Sequence, residues 1–113
     1  MNQRLAGRDG EQKAEAHLLS LGYKLVERNY QTRFGEIDLI VENDVYVVFA
    51  EVKQRRHKRF APAGAFVTPG KQEKIRTTAL LWLAEHPTAL QPRFDVIEVY
   101  SQTGEINHIK NAF

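Results

Sequence analysis

The stretch Gly35-Glu36-Ile37-Asp38-Leu39-Ile40-Val41-Glu42-Asn43-Asp44-Val45-Tyr46-Val47-Val48-Phe49-Ala50-Glu51-Val52-Lys53 decides how this chain is read. Both flanks are rich in β-branched and aromatic residues. Asn43-Asp44 between them tolerates the positive φ of a tight turn, so the stretch reads as a β-hairpin. With those two residues as the turn, Glu42 pairs with Val45, Ile40 with Val47, Asp38 with Phe49 and Glu36 with Glu51. Side chains alternate along a strand, which sets Glu36, Asp38, Ile40, Val47, Phe49, Glu51 and Lys53 on one face. Asp38 and Glu51 become diagonal neighbours, roughly 7–8 Å apart at the backbone and within reach of a shared cation. Lys53 follows Glu51 about 7 Å further along.

A solvated edge hairpin is the plainer alternative, because most charged strand residues are exposed. Against it, Ile40, Val47 and Phe49 occupy the same face as the acids. Carboxylates that continue an apolar face are partly desolvated and need a cation, a hydrogen-bond network or a raised pKa. Glu36 directly opposite Glu51 would be repulsive without such a partner.

Ahead of the hairpin, residues 8–21 carry Ala14, Leu18 and Leu21 at helical spacing, with Gly22 as a stop. Asp9 and Gln12 resemble a capping box, although a start nearer Arg4 also fits. Glu11 heads the apolar stripe and is expected on the core-facing side; the alternative is a carboxylate placed in the first turn by the helix dipole. Residues 23–30 read as a first strand and 31–34 as a connection. After the hairpin, five of the seven residues from 53 to 59 are Lys or Arg, which makes a basic loop bordering the acidic face. That pairing suits a phosphate-bearing substrate held beside a metal.

Residues 61–65, Ala-Pro-Ala-Gly-Ala, form a breaker-rich loop. Thr68-Pro69 supplies an N-cap and a first-turn proline for a helix ending near His86, with Ile75, Thr78, Ala79 and Trp82 as its buried stripe. Lys71 heads that stripe. A tryptophan in such a stripe is core rather than a base-stacking platform. Residues 93–100 and 105–110 complete the order α-β-β-β-α-β-β: one α/β domain over residues 1–113, a mixed sheet flanked by helices. A chain of this length buries a core without disulfides, and it has no cysteine to make one. Neither a signal-peptide core nor a run near the ~20 apolar residues of a membrane span is visible, so a cytoplasmic protein is expected.

Asp38 and Glu51, with Glu11 or Glu36, offer hard oxygen ligands suited to Mg²⁺ or Mn²⁺. Such an ion would activate a water and neutralise charge on a phosphodiester, with Lys53 positioning the water or meeting the transition-state charge. The four histidines lack ligand spacing, and no nucleophile elbow or phosphate-binding loop is present.

Gly35-Glu36-Ile37-Asp38 followed by Ala50-Glu51-Val52-Lys53 and Arg55 resembles the D…E-x-K core of the PD-(D/E)XK nucleases, whose fold is restriction-endonuclease-like. Gly10-Glu11 with Ala14, Asn29, Lys71, Arg93-Phe94-Asp95-Val96 and Asn111-Ala112-Phe113 extends the likeness. Together they resemble the YraN-like family of small bacterial proteins, over nearly the whole chain. This resemblance implies similarity to Holliday-junction resolvases and a catalytic core of Asp38, Glu51 and Lys53, with Glu11 as the extra acid. It also implies a polar active-site residue on the second long helix, Lys71 or Gln72.

The expected function is therefore a Mg²⁺- or Mn²⁺-dependent DNA endonuclease or junction resolvase-like protein. Asp38, Glu51 and Glu11 would be its metal ligands, and Arg55, Arg56, Lys58, Arg59 and Lys71 its DNA contacts. The alternative is a nucleic-acid-binding module whose nuclease site is silent or partner-dependent. A homodimer follows by analogy with resolvases, because a four-way junction presents two symmetric scissile sites.

Overall fold

The computed structural model describes residues 3–56 and 67–113, with side chains from residue 9 onward. The elements are α1 (Gln3–Ser20), β1 (Lys24–Thr32), β2 (Gly35–Glu42), β3 (Tyr46–Arg55), α2 (Pro69–Glu85), β4 (Gln91–Tyr100) and β5 (Ile106–Ile109). They occur in the order expected from sequence. The strands form one sheet in sequence order, antiparallel except for the parallel β3–β4 pair that α2 connects.

Strand alternation divides the core between two layers. Leu39, Val41, Val48, Ala50, Ile97 and Val99 pack with Ala14 and Leu18 of α1. Ile40, Val47 and Phe49 pack with Ile75, Ala79 and Trp82 of α2. Both faces of the central strands are covered, which is why residues 47–50 of β3 and Val96-Ile97 of β4 are apolar without alternation. Trp82 is 4 % exposed and lies edge-on to Phe49. It is core, as its place in the helical stripe indicated. No helix among the described residues is long and apolar enough to cross a membrane.

α2 begins as its sequence dictates: Thr68 is extended, its Oγ1 accepts from the N–H of Lys71 at 3.2 Å, and Pro69 takes the first helical position. Thr68→Ala is expected to cost about 1 kcal/mol, read by urea denaturation, because it orphans one N–H of the first turn.

α1 starts earlier than residue 8. Arg4, Leu5 and Ala6 are good helix formers and carry the helix forward to Gln3. Asp9 is therefore inside the helix and pairs with Lys13 across one turn, so the capping box with Gln12 does not form. Gly10 is buried, and a Cβ there would stand 2.6 Å from the Gln54 amide oxygen; the missing side chain lets α1 approach β3. Leu21 lies beyond the helix end and is 50 % exposed, so it does not join the stripe.

The hairpin is centred one residue later than expected. Glu42 pairs with Val47, Ile40 with Phe49 and Leu39 with Ala50. The turn residues are Asp44-Val45, and none of residues 43–45 has positive φ. Asn43 instead stabilises the turn through its side chain, whose Oδ1 accepts from the N–H groups of Val45 and Tyr46. Moving the centre by one residue shifts the register by two, so which strand residues share a face is unchanged.

A second layer of order is polar. Asp95, fully buried, accepts two hydrogen bonds from the Arg93 guanidinium at 2.9 Å, one from His108 at 2.6 Å and one from the Asn111 N–H at 3.1 Å. His108 continues the chain to His17 of α1 at 3.1 Å, and Arg93 also reaches the Tyr23 hydroxyl. The histidines at 17 and 108 thus tie α1 to β5.

Candidate functional site

The β2–β3 ladder stops at Leu39–Ala50. One step further in the same register Asp38 faces Glu51, so the shifted turn brings the two acids opposite one another rather than diagonal. Here the strands part. The Asp38 carboxylate fills the gap, its Oδ2 accepting from the Val52 N–H at 2.8 Å where backbone pairing would otherwise continue. Alternation breaks at the same point: Ile37 packs with the α2 layer although Leu39 packs with the α1 layer. The single face proposed for Glu36 through Lys53 therefore holds for Ile40, Val47 and Phe49 and fails around Asp38.

Glu36 does not oppose Glu51. It pairs with Gln31 on β1, and its carboxylate meets the Asn29 amide at 3.3 Å. The same amide nitrogen donates to Glu11 of α1 at 3.0 Å. Asn29 holds φ at +49°, a left-handed conformation that asparagine tolerates better than most residues, and this places its side chain between the two acids. Glu11 is eight residues into α1, too far from the helix start for its position to reflect the dipole. It lines a pocket of about 160 Å³ with Glu15, Arg28, Asn29 and Asp38. Arg28 closes one wall through a two-pronged pair with Glu15 at 2.7 and 2.9 Å.

On the other side of the gap, Glu51 is 6 % exposed and its Oε1 lies 2.6 Å from the Lys71 Nζ. Electrostatics follow from this crowding. Burial, then the negative charge of Glu51, push the Asp38 carboxyl up to about 8; Glu11 and Glu36 add to the rise and the Val52 N–H opposes it. The Lys53 ammonium is lowered by burial and by neighbouring Lys71, with Glu51 and Asp38 acting against that. Burial would lower Lys71 as well, but its hydrogen bond and charge attraction to Glu51, with Lys53 and Asp38 adding to them, together outweigh burial and raise it.

Asp38, Glu51, Lys53, Glu11 and Lys71 thus belong to one electrostatic neighbourhood. No three Asp, Glu or His side chains among the described residues converge to hold a metal ion. Arg55 is placed differently. It lies inside β3 rather than in a loop, because β3 pairs with β4 as far as Tyr100. Its Nε donates at 2.8 Å to Glu98, a fully buried carboxylate that also accepts from Tyr100 and Asn107. Arg56 is exposed. Lys58, Arg59 and the loop at 61–65 lie outside the described residues.

Two signals pointed at features the sequence reading passed over. Glu98 within Val96-Ile97-Glu98-Val99 and Asp95 within Phe94-Asp95-Val96 are acids in apolar strands, which require buried partners. Asn29 was singled out by the family likeness, but its role between Glu11 and Glu36 had no signal beyond its tolerance of positive φ.

The family model described as "Uncharacterised protein family UPF0102" matches residues 10–99. The chain belongs to UPF0102. It is similar to a UPF0102 protein of Syntrophomonas wolfei, 43 % identical with all of both chains covered. Another, from Vibrio parahaemolyticus, is 39 % identical over 98 % of this chain and 93 % of its own. A third, from Nitrosomonas europaea, is 44 % identical over 95 % and 92 % respectively. The UPF0102 match spans the whole of the acidic and basic neighbourhood, from Glu11 through Asp38 and Glu51 to Lys71.

Proposed function

We propose that this UPF0102 protein is a metal-dependent endonuclease of the PD-(D/E)XK type that hydrolyses phosphodiester bonds in DNA, with branched or four-way junctions as candidate substrates. The observation that carries the reading is Asp38 inserted at the parting of β2 and β3, facing buried Glu51, with Lys53 and Lys71 at the same point. Asp38, Glu51 and Glu11 offer oxygen donors alone, and the Asp38 carboxyl is raised first by burial and then by Glu51, so in donor chemistry the set fits Mg²⁺ or Mn²⁺. Asp38, Glu51 and Glu11 are the residues that would hold the ion. When bound, such an ion supplies an activated water and neutralises charge on the phosphoryl oxygens.

The chain's own residues do the rest. Lys53, whose ammonium is made more acidic by burial and by Lys71, holds its proton at Nζ beside Glu51, where it orients the attacking water and meets charge on the phosphate. Arg56 supplies exposed positive charge at the end of β3 for the nucleic-acid backbone, as Lys58 and Arg59 would beyond it. Arg55 supports the fold through Glu98. A cytoplasmic homodimer suits a two-fold symmetric junction.

The test is cleavage of end-labelled four-way junction, flap, duplex and single-stranded DNA with Mn²⁺ or Mg²⁺. Glu51→Ala is expected to lower cleavage by about 10³ or more, roughly 4 kcal/mol of transition-state stabilisation. Cleavage that survives Glu51→Ala overturns the proposal. A second reading is favoured by the absence of converging donors among the described residues. It is a nucleic-acid-binding module with a silent site, which predicts salt-sensitive binding without turnover in wild type and Glu51→Ala alike.

A further inference from the structure

The acids around Asp38 have the chemistry of a cation site without its geometry among the described residues, and the most buried of them, Glu51, is held by a lysine instead. Glu51 is 6 % exposed, whereas the Lys71 side chain that reaches it to 2.6 Å is 40 % exposed. A buried carboxylate facing a second carboxyl needs a positive partner. Lys71 provides it from the first turn of α2, where its backbone is fixed by Thr68 and its flexible stem is open to solvent. The carboxylate is anchored in β3 and the ammonium can leave, so the pair is asymmetric. Lys53 stands beside both.

We infer that Lys71 is a placeholder for the metal ion. It neutralises Glu51 in the resting protein, and a divalent cation and an anionic phosphodiester displace this contact together, the cation taking Glu51 and the phosphate taking Lys71. The inference rests on the metal-dependent reading above. It makes metal and nucleic acid positively coupled ligands: each vacates the partner the other needs, and by linkage each raises the affinity of the other by the same factor. Free metal alone binds weakly because it must displace an ion pair and then leave Lys71 beside Lys53 without a counter-ion.

Mn²⁺ binding to the protein alone, followed by electron paramagnetic resonance of the free ion, tests this without catalysis. Lys71→Met keeps the helix-forming stem and removes the charge. It is expected to tighten Mn²⁺ binding by about 5–150-fold, the usual range of such couplings. Adding Glu51→Gln to Lys71→Met should remove the gain. In chelator, Lys71→Met should bind four-way junction DNA several-fold more weakly than wild type. An unchanged or weakened Mn²⁺ affinity in Lys71→Met overturns the placeholder role and leaves the metal-dependent reading standing. Undiminished DNA binding overturns the phosphate half of the exchange. If neither wild type nor Lys71→Met binds Mn²⁺, the metal-dependent reading falls and the placeholder falls with it.

Discussion

At pH 8 in the presence of a chelator, Asp38→Asn is expected to be more stable than wild type by about 1–3 kcal/mol, and with Mn²⁺ or Mg²⁺ supplied it is expected to have lost hydrolysis. In the folded protein the Asp38 carboxyl is raised from 3.8 to about 8, first by burial and then by Glu51. Between those two values the folded state binds more protons than the unfolded state, so stability falls as pH rises through the window. The contribution is fully present below about pH 4 and lost above pH 8. Asparagine cannot ionise, yet its Oδ1 can still accept from the Val52 N–H, so the variant keeps the contact and avoids the cost. Urea denaturation of both proteins from pH 4.5 to 9 should give diverging curves, with the variant flatter. Parallel curves, or a variant less stable at pH 8, would show that Asp38 is not the strained group. A residue whose removal improves stability while ending activity is held for function rather than for folding.

Much of this arrangement can be read from the chain, and the limits have physical causes. The parity of the hairpin was legible because a turn moved by one residue at its centre shifts the register by two. Ile40, Val47, Phe49 and Glu51 therefore keep their relation. Where the centre falls was not legible, since Asn43 can serve a turn either by adopting positive φ or by accepting through its side chain, and it does the second. The α2 boundary was legible because Thr68-Pro69 and Pro87 act locally. Arg55 could not be told from Arg56 within a basic run, because the difference between them is Glu98, more than forty residues away. The exit of Asp38 from strand alternation was equally hidden: it depends on β2 and β3 parting after Leu39–Ala50, which no short-range pattern records.

Asp95→Ala is expected to destabilise the protein by about 3–5 kcal/mol, a large share of the roughly 5–15 kcal/mol available to a domain of this kind. Arg93 lies over the Tyr46 ring at 4.5 Å with its side chain 10 % exposed, and Asp95 is its carboxylate partner in the two-pronged pair. Without that partner the guanidinium is a buried charge whose remaining hydrogen bond among the described residues is to the Tyr23 hydroxyl, and His108 and the Asn111 N–H lose their acceptor as well. Burial alone would raise the Asp95 carboxyl. The hydrogen bonds from His108, Arg93 and the Asn111 N–H outweigh burial and hold it below its ordinary value of 3.8. A depressed folded pKa contributes stability above 3.8 that is lost as pH falls through the folded value, the opposite sign to Asp38. The two aspartates therefore oppose each other. Asp38 weakens the fold as pH rises toward 8, and Asp95 weakens it as the solution becomes strongly acidic, so the joint contribution of these two groups is greatest just above the ordinary carboxyl value of 3.8. In Asp95→Ala the acid limb should flatten while the decline toward pH 8 persists. A loss below about 1 kcal/mol would mean that Arg93 finds another partner when Asp95 is removed.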